Sequence, residues 1–168
     1  DGSKLGYSKL LLATGSTPRT LPADIGGRLG NVFTIRNLAD ADAIAPALQP
    51  GARLLVIGGG YIGLEAAAVA AQKGLTVTVI EMAERILQRV AAAPTSDFFR
   101  ALHQSHGVTI REATGLAELL GSDNRLTGAK LTDGSIIPAD LAIVGIGIIP
   151  NDLLARDAGL GTAGGGVV

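Results

Sequence analysis

The sequence contains no cysteine, and only 3% of its 168 residues are aromatic. The absence of cysteine excludes a disulfide framework, a thiolate metal site and a redox dithiol within these residues. Because aromatic residues are scarce, the core must be built from aliphatic side chains and alanine, as in helices packed tightly on a parallel sheet. The chain is 47% hydrophobic and contains 24 glycines, which is consistent with a layered α/β core.

Charge and hydropathy exclude two further classes of partner. The formal net charge is −1 and there is no run of basic residues, so no nucleic-acid partner is expected. No apolar stretch approaches the length of a membrane span, so no membrane partner is expected either.

His103 and His106 lack further ligands nearby, and no metal site is predicted. No secretory signal is present, and the expected location is cytoplasmic.

The most informative stretch is an apolar strand followed directly by closely spaced glycines. Residues 54–57 (LLVI) are apolar, and Gly58, Gly60 and Gly63 then follow in the pattern G-x-G-x-x-G. The alanine-rich segment after them predicts a helix whose free N–H groups and positive dipole end face a bound pyrophosphate. Strand, glycine turn and helix in this order predict a dinucleotide site, in which Gly60 leaves room for the phosphates.

Further residues near this turn are candidates for contact with the nucleotide. Glu81 ends the next β-branched run, where a carboxylate can accept both hydroxyl hydrogens of an adenosine ribose. A 2′-phosphate would meet a like charge there, so Glu81 favours NAD(H) over NADP(H). The remaining candidates share a position near the predicted sheet edge or the first turn of the helix: Tyr61, Ile62, Glu65, Arg85, Gly145, Ile146 and Gly147.

Each candidate also has a purely structural interpretation. Glu81 can be a solvated carboxylate at the end of a strand. Arg85 and Arg89 can meet a phosphate, but such pairs more often form a solvated face. Glu65 can complement the helix dipole, and Tyr61 can cap the helix against the sheet. Residues 145–147 can be a simple bend, although they follow a strand at the edge where α/β folds bind ligands.

The order of predicted elements indicates an α/β fold: a Rossmann-like parallel sheet with helices on both faces and an inserted antiparallel β-meander. Asn37 is the predicted N-cap of the first helix, and Asp133-Gly134 is a strong hairpin signal within the meander. The predicted strands cover residues 9–13, 54–57, 75–80, 108–111, 116–120, 126–131, 135–137 and 141–144, and the predicted helices cover 37–47, 61–73 and 95–106. Residues 161–166 are expected to be flexible, and residues 167–168 to begin a strand.

Four separated features together resemble one family. They are residues 13–19 (ATGSTPR), the glycine turn, the meander and residues 145–151 (GIGIIPN). The combination resembles the NAD-binding domain of FAD-dependent pyridine nucleotide-disulfide oxidoreductases, and it is most similar to ferredoxin and rubredoxin reductases of the putidaredoxin type. Ile146 favours this subgroup, because the disulfide reductases of the superfamily usually carry a basic residue there.

The resemblance implies an enzyme that passes hydride from NADH to FAD and then single electrons to a ferredoxin or rubredoxin. Under this interpretation residues 1–36 are a remnant of the FAD domain and hinge, 37–160 form the NAD(H)-binding domain, and 161–168 begin a truncated segment. Glu65 would help to position the nicotinamide, and residues 145–147 would approach it. The chain alone, which lacks the flavin site, is expected to be inactive.

Two alternatives remain open at this point. The first is a disulfide or peroxide reductase of the same superfamily, whose reactive cysteine would lie outside these residues. The second is a regulatory Rossmann domain that senses NAD and does no chemistry. A pair of reactive cysteines in the sequence outside the 168 residues would favour the first alternative over the ferredoxin reductase. A full-length protein that cannot bind flavin would favour the second.

Overall fold

The computed structural model describes residues 2–163 and 166–167. Its strands are β1 (Ser16–Pro18), β2 (Val32–Phe33), β3 (Arg53–Ile57), β4 (Thr76–Ile80), β5 (Thr109–Arg111), β6 (Leu116–Ser122), β7 (Arg125–Leu131), β8 (Ile136–Pro138), β9 (Leu141–Val144), β10 (Ile148–Pro150), β11 (Thr162–Ala163) and β12 (Gly166–Val167). Its helices are α1 (Leu38–Ile44), α2 (Tyr61–Gln72), α3 (Ala93–Ser105) and α4 (Leu153–Asp157).

The described residues form two compact units. The larger unit is Pro18–Gly147. The other comprises the described residues of 1–17 and 148–168, in which β1 pairs with β10 and β11 pairs with β12. The domain boundaries predicted at residues 36 and 160 remain predictions, because compactness does not show which segment binds which nucleotide.

The larger unit contains a five-stranded sheet in the order β2-β9-β3-β4-β5. Each neighbouring pair is parallel, and β3 is the middle strand. Because parallel strands end at the same edge, the segments that follow β3, β4 and β9 meet there. The topology therefore brings the glycine turn, Glu81 and residues 145–147 to one carboxyl edge.

Alternate residues of β3 belong to two different core clusters. Leu54 and Val56 lie in a cluster that also contains Ala67 and Ala70 of α2. Leu55 and Ile57 lie in a second cluster with apolar residues of the meander. Since side chains of a strand alternate between faces, α2 covers one face of the sheet and the meander covers the other. Helices were expected on both faces, but leucines of β6 and β7 supply the second layer instead.

The predicted Rossmann-like sheet with an antiparallel meander is confirmed. Strands β6, β7 and β8 form a separate antiparallel sheet, and Asp133-Gly134 forms a turn between β7 and β8. Asn37 is the N-cap of α1, and its side chain accepts a hydrogen bond from the backbone N–H of Asp40. Pro46 lies in a short 3-10 helix, Ala45–Ala47, where α1 has already ended.

The strand predicted at residues 9–13 is wrong. Leu10 is 60% exposed and Leu11 is 87% exposed, and no described residue pairs with this segment as a strand. An apolar run becomes a strand only when a neighbouring strand satisfies its backbone groups. The residues predicted to form a turn after it, Ser16–Pro18, instead form β1.

The tail contains more regular structure than the sequence predicted. Thr162–Ala163 and Gly166–Val167 form a short antiparallel pair. The second strand agrees with the one predicted to begin at residue 167, whereas regular structure within residues 161–166 was not predicted. Residues 164, 165 and 168 lie outside the described residues.

An ion pair between Arg53 and Asp140 joins β3 to the start of β9 at the amino edge of the central sheet. The backbone N–H of Arg53, at the start of β3, donates to Oδ2 of Asp140, and the guanidinium of Arg53 donates to both carboxylate oxygens. The side chains are each 44% exposed. The hydrogen bond from Arg53 holds the pKa of Asp140 below its usual value, although burial acts in the opposite direction.

We expect the replacement Asp140→Asn to lower the melting temperature by a few degrees near neutral pH, because a neutral amide cannot pair with the guanidinium. The folded-state pKa of Asp140 is depressed, so its stabilisation is complete above the unfolded value of about 4. It is lost as pH falls through the lower folded pKa. Thermal unfolding between pH 3 and 7 should therefore show wild type and variant converging at acid pH. Glu118→Gln, which changes an exposed carboxylate, is the control; an equal loss in both variants would contradict the prediction.

Candidate functional site

The glycine turn is a place where three backbone segments touch. Gly58 has φ +109°, and a Cβ built on it would collide with the carbonyl oxygen of Gly145. A Cβ on Gly63, inside α2, would collide with the carbonyl oxygen of Gly58. These two glycines therefore allow α2 and the end of β9 to pack directly against the turn.

Gly60 differs from its two neighbours in the motif. It is the N-cap of α2, and a Cβ built on it would meet nothing within 4 Å. The space beside Gly60 lies in front of the first N–H groups of α2, which have no partner within the helix. A glycine at this position leaves room for a ligand, and the helix end attracts an anion.

Glu81 lies directly after β4 and bonds to the glycine turn. Its Oε2 accepts a hydrogen bond of 2.7 Å from the backbone N–H of Gly59, and its Oε1 accepts one of 2.8 Å from Ala83. Each carboxylate oxygen still has a lone pair for a hydroxyl group. Glu81 can therefore bind a ribose and at the same time fix the turn, a second role that the sequence did not predict.

The segment after Glu81, residues 82–92, is a loop of turns that packs beneath the glycine turn. The backbone N–H of Leu87 donates to the carbonyl of Gly59 at 2.9 Å. Leu87 has φ +55°, a conformation that costs a non-glycine residue about 1–2 kcal/mol. Its burial with Ile86 and Leu64 in one cluster offsets this cost. An ideal Cβ on Gly59 would lie 2.6 Å from Cγ2 of Ile86, so the loop and turn are in direct contact.

Charged side chains hold this loop against α3. Glu112, which follows β5, accepts a 2.8 Å hydrogen bond from the backbone N–H of Ile86. Arg100 of α3 binds the same carboxylate with two N–H groups, at 2.8 and 2.9 Å. These hydrogen bonds, chiefly the one to Glu112 and next the one to Asp97, raise the pKa of Arg100 above its ordinary value. Arg100 therefore stays charged.

Arg85 is directed toward the start of α3. Its Nη1 donates to Oγ of the fully buried Ser96 at 2.6 Å, and Ser96 in turn donates to the carbonyl of Ile86 at 2.6 Å. A second contact joins Arg85 Nη2 to the carbonyl of Gln88. These contacts leave further N–H groups on Arg85, and its assignment to the nucleotide stays a prediction.

Two other arginines lie beside Gly147, at the end of β9. An ideal Cβ on Gly147 would be 3.8 Å from Nη2 of Arg89 and 3.9 Å from Nε of Arg19. The backbone N–H of Arg19 also donates to the carbonyl of Gly147 at 2.9 Å. Neither guanidinium has an ion-pair partner among the residues that the structure describes. Two unpaired cations at one point favour an anionic ligand.

The other predicted residues lie at the same carboxyl edge. Tyr61 and Ile62 are 55% and 45% exposed in the first turn of α2, and Glu65 is exposed one turn later. Gly145 contacts the glycine turn, as described above. Ile146 is partly buried and packs against the core cluster that contains the meander, so its side chain contributes to the fold as well as to the edge.

The sequence does not predict the positions that the structure gives Arg19, Arg89 and Glu112. In the sequence, Arg89 fits mainly a solvated face, and Arg19 appears only within residues 13–19. The spacing of Arg89 after Glu81 was the only available signal, because contact with Gly147 depends on the path of the 82–92 loop. For Arg19 and Glu112 the sequence offered no local pattern.

Two kinds of site are not found in the described part of the chain. Residues 2–163 and 166–167 contain no group of three or more His, Cys, Asp or Glu side chains that could hold a metal ion. None of their helices combines the length and apolar character needed to cross a bilayer.

Comparisons with known proteins agree on one family. A family profile described as pyridine nucleotide-disulphide oxidoreductase matches residues 1–168. The chain is 49% identical over 150 residues to a ferredoxin–NAD(P)(+) reductase of a Sphingomonas species, covering 89% of this chain and 36% of that protein. It is 45% identical over 172 residues to putidaredoxin reductase of Pseudomonas putida, covering 100% of this chain and 41% of that protein.

Solved structures give the same result. The chain matches the crystal structure of a covalent putidaredoxin reductase–putidaredoxin complex with a TM-score of 0.88 and 44% identity. The match covers 95% of this chain and 39% of that one. The chain thus spans about two fifths of the length of the relatives it matches.

We expect replacement of Gly60 to affect nucleotide binding and replacement of Gly58 to affect stability. Gly60→Ala should leave the melting temperature nearly unchanged, because its Cβ enters open space, but it should weaken dinucleotide binding about tenfold or more by obstructing the phosphates. Gly58→Ala should lower the melting temperature, because its Cβ meets the backbone of Gly145 and its φ is unfavourable. Thermal unfolding and calorimetric titration with NADH separate the two effects. Unchanged NADH affinity in Gly60→Ala would contradict the assigned phosphate position.

Proposed function

Because this chain belongs to the pyridine nucleotide-disulphide oxidoreductase family, we propose that it is the NAD(H)-binding part of a larger flavoprotein reductase. The dinucleotide lies across the carboxyl edge of the β2-β9-β3-β4-β5 sheet. The open space beside Gly60, in front of the first turn of α2, is the observation that carries the proposal. It receives the pyrophosphate, while Gly58 and Gly63 keep the surrounding backbone close enough to hold it.

The adenosine ribose is bound by Glu81. Its carboxylate already receives the N–H groups of Gly59 and Ala83, which hold it rigidly at the end of β4. A rigid carboxylate accepts hydrogen bonds from both ribose hydroxyls and repels a 2′-phosphate. We therefore propose NADH rather than NADPH as the physiological donor.

Arg19 and Arg89 supply positive charge at the same edge. Their guanidiniums flank Gly147 and attract the nucleotide as it approaches, an effect that salt weakens. At the other end of the cofactor, Tyr61 and Glu65 present exposed side chains from the first turns of α2 to the nicotinamide. Glu65 positions the ring, and residues 145–147 approach it from the segment that follows β9.

The chemistry of the whole protein depends on groups outside this chain. FAD bound by the rest of such a protein would supply the redox chemistry, as acceptor of hydride from the nicotinamide and donor of single electrons. The described residues do the binding and orienting, and no proton transfer by a side chain is required of them. The similarity to putidaredoxin reductase, solved as a complex with putidaredoxin, supports an iron–sulfur protein of the ferredoxin or rubredoxin type as the electron acceptor.

Titration of the chain with NADH and NADPH tests the nucleotide assignment. We expect NADH to bind more tightly, and Glu81→Gln to reduce that preference by removing the negative charge while retaining one acceptor oxygen. Glu84→Gln, an exposed carboxylate on the same loop, is the matched control and should keep the preference. Equal or tighter binding of NADPH to the unaltered chain would refute the role of Glu81.

The parent protein provides the test of the electron-transfer assignment. The purified full-length protein should be yellow with bound FAD, and NADH should bleach the flavin and support reduction of a ferredoxin. A colourless protein that cannot be reconstituted with FAD would favour the NAD-sensing alternative. Rapid reduction of a disulfide, persulfide or peroxide without any ferredoxin would favour the other branch of the superfamily.

A further inference from the structure

Glu112 and Arg100 lie behind the nucleotide edge rather than on it. Glu112 has a side chain only 19% exposed, and its carboxylate receives three N–H groups, one from the backbone of Ile86 and two from Arg100. A partly buried carboxylate in this arrangement is held in one orientation, because bidentate pairing with arginine fixes its plane. The N–H of Ile86 is therefore fixed as well.

Because the N–H of Ile86 is fixed, the two segments of the loop on either side of its contacts are restrained as well. Toward the turn, Ile86 packs beneath Gly59, and its neighbour Leu87 donates a hydrogen bond to the carbonyl of Gly59. Toward the end of β9, the loop continues to Arg89, whose guanidinium lies beside Gly147. The glycine turn and the segment around Gly147 are thus both connected to Glu112 through a few residues of the 82–92 loop.

We propose that the Glu112–Arg100 pair positions the nucleotide site by fixing the 82–92 loop, and that Glu112 acts through Ile86 without touching the cofactor. This inference rests on the proposed function, since it assigns a supporting role at the same site. The left-handed backbone of Leu87 needs an external restraint, because a leucine adopts that conformation only when its surroundings enforce it. The hydrogen bond from Ile86 to Glu112, one residue away, adds to the restraint that the burial of Leu87 and its hydrogen bond to Gly59 provide.

The chain contains a matched control for this proposal. Asp140 also accepts a backbone N–H and a bidentate arginine, but at the opposite, amino edge of the same sheet. Asp140→Asn therefore removes a similar pair without contacting the loop. Glu112→Gln should raise the Kd for NADH about tenfold, the effect of a weakened hydrogen bond to a charged group, whereas Asp140→Asn should leave this Kd unchanged.

A double-mutant cycle distinguishes positioning from loss of stability. If Glu112 acts through the loop that carries Arg89, then Arg89→Met combined with Glu112→Gln should weaken NADH binding by clearly less than the product of the single effects. Asp140→Asn combined with Arg89→Met should be multiplicative. Equal effects of Glu112→Gln and Asp140→Asn on the Kd, or multiplicative behaviour in both cycles, would overturn the proposal.

Hydrogen exchange separates this inference from the proposed function. The amide of Leu87 should exchange faster in Glu112→Gln than in Asp140→Asn when the two variants are compared at equal global stability. An unaltered chain that fails to bind NADH would refute the proposed function, whatever the exchange rate. Unchanged protection of Leu87 in Glu112→Gln would refute the positioning role, whatever the nucleotide affinity.

Discussion

The site depends on a close approach of backbones that no side chain larger than hydrogen permits. Gly63 of α2 packs directly against the carbonyl of Gly58, and Gly58 packs directly against the carbonyl of Gly145. These two contacts join the middle strand, α2 and the end of β9 at a single point. Their geometry sets the distance from the α2 N-terminus to the sheet edge, and with it the size of the open space beside Gly60.

The elements that the sequence predicted well are those whose local pattern and tertiary environment agree. The strand at 54–57, the helix beginning at Tyr61 and the hairpin at Asp133-Gly134 each combine an apolar or alanine-rich segment with a nearby glycine, and each is present. Residues 9–13 had only an apolar composition, and without a partner strand among the described residues they remain unpaired. Apolar composition alone cannot supply the neighbouring strand that a β-structure needs.

The same distinction applies to the site. Gly58, Gly60, Gly63 and Glu81 follow a fixed spacing, and the structure brings them to one sheet edge as that spacing predicts; their contact with a nucleotide stays a prediction. Arg19 and Arg89 reach Gly147, and Glu112 reaches Ile86, through the course of a loop and the order of strands in the sheet. Neither of these leaves a short pattern in the sequence. The bonds from Glu81 to Gly59 and Ala83 were likewise not predictable, because they depend on how closely β3 and β4 end together.

The double attachment of Glu81 constrains any redesign of the cofactor preference. A substitution that merely deletes the carboxylate would leave the Gly59 N–H without its acceptor, so lost affinity for one nucleotide could be mistaken for discrimination against it. A productive exchange toward NADPH needs a side chain that still accepts from the turn while presenting no negative charge, together with a cation for the added phosphate. Under the proposed role of Glu81, a change of cofactor also requires a new acceptor for the Gly59 N–H, so selection or engineering must alter both together.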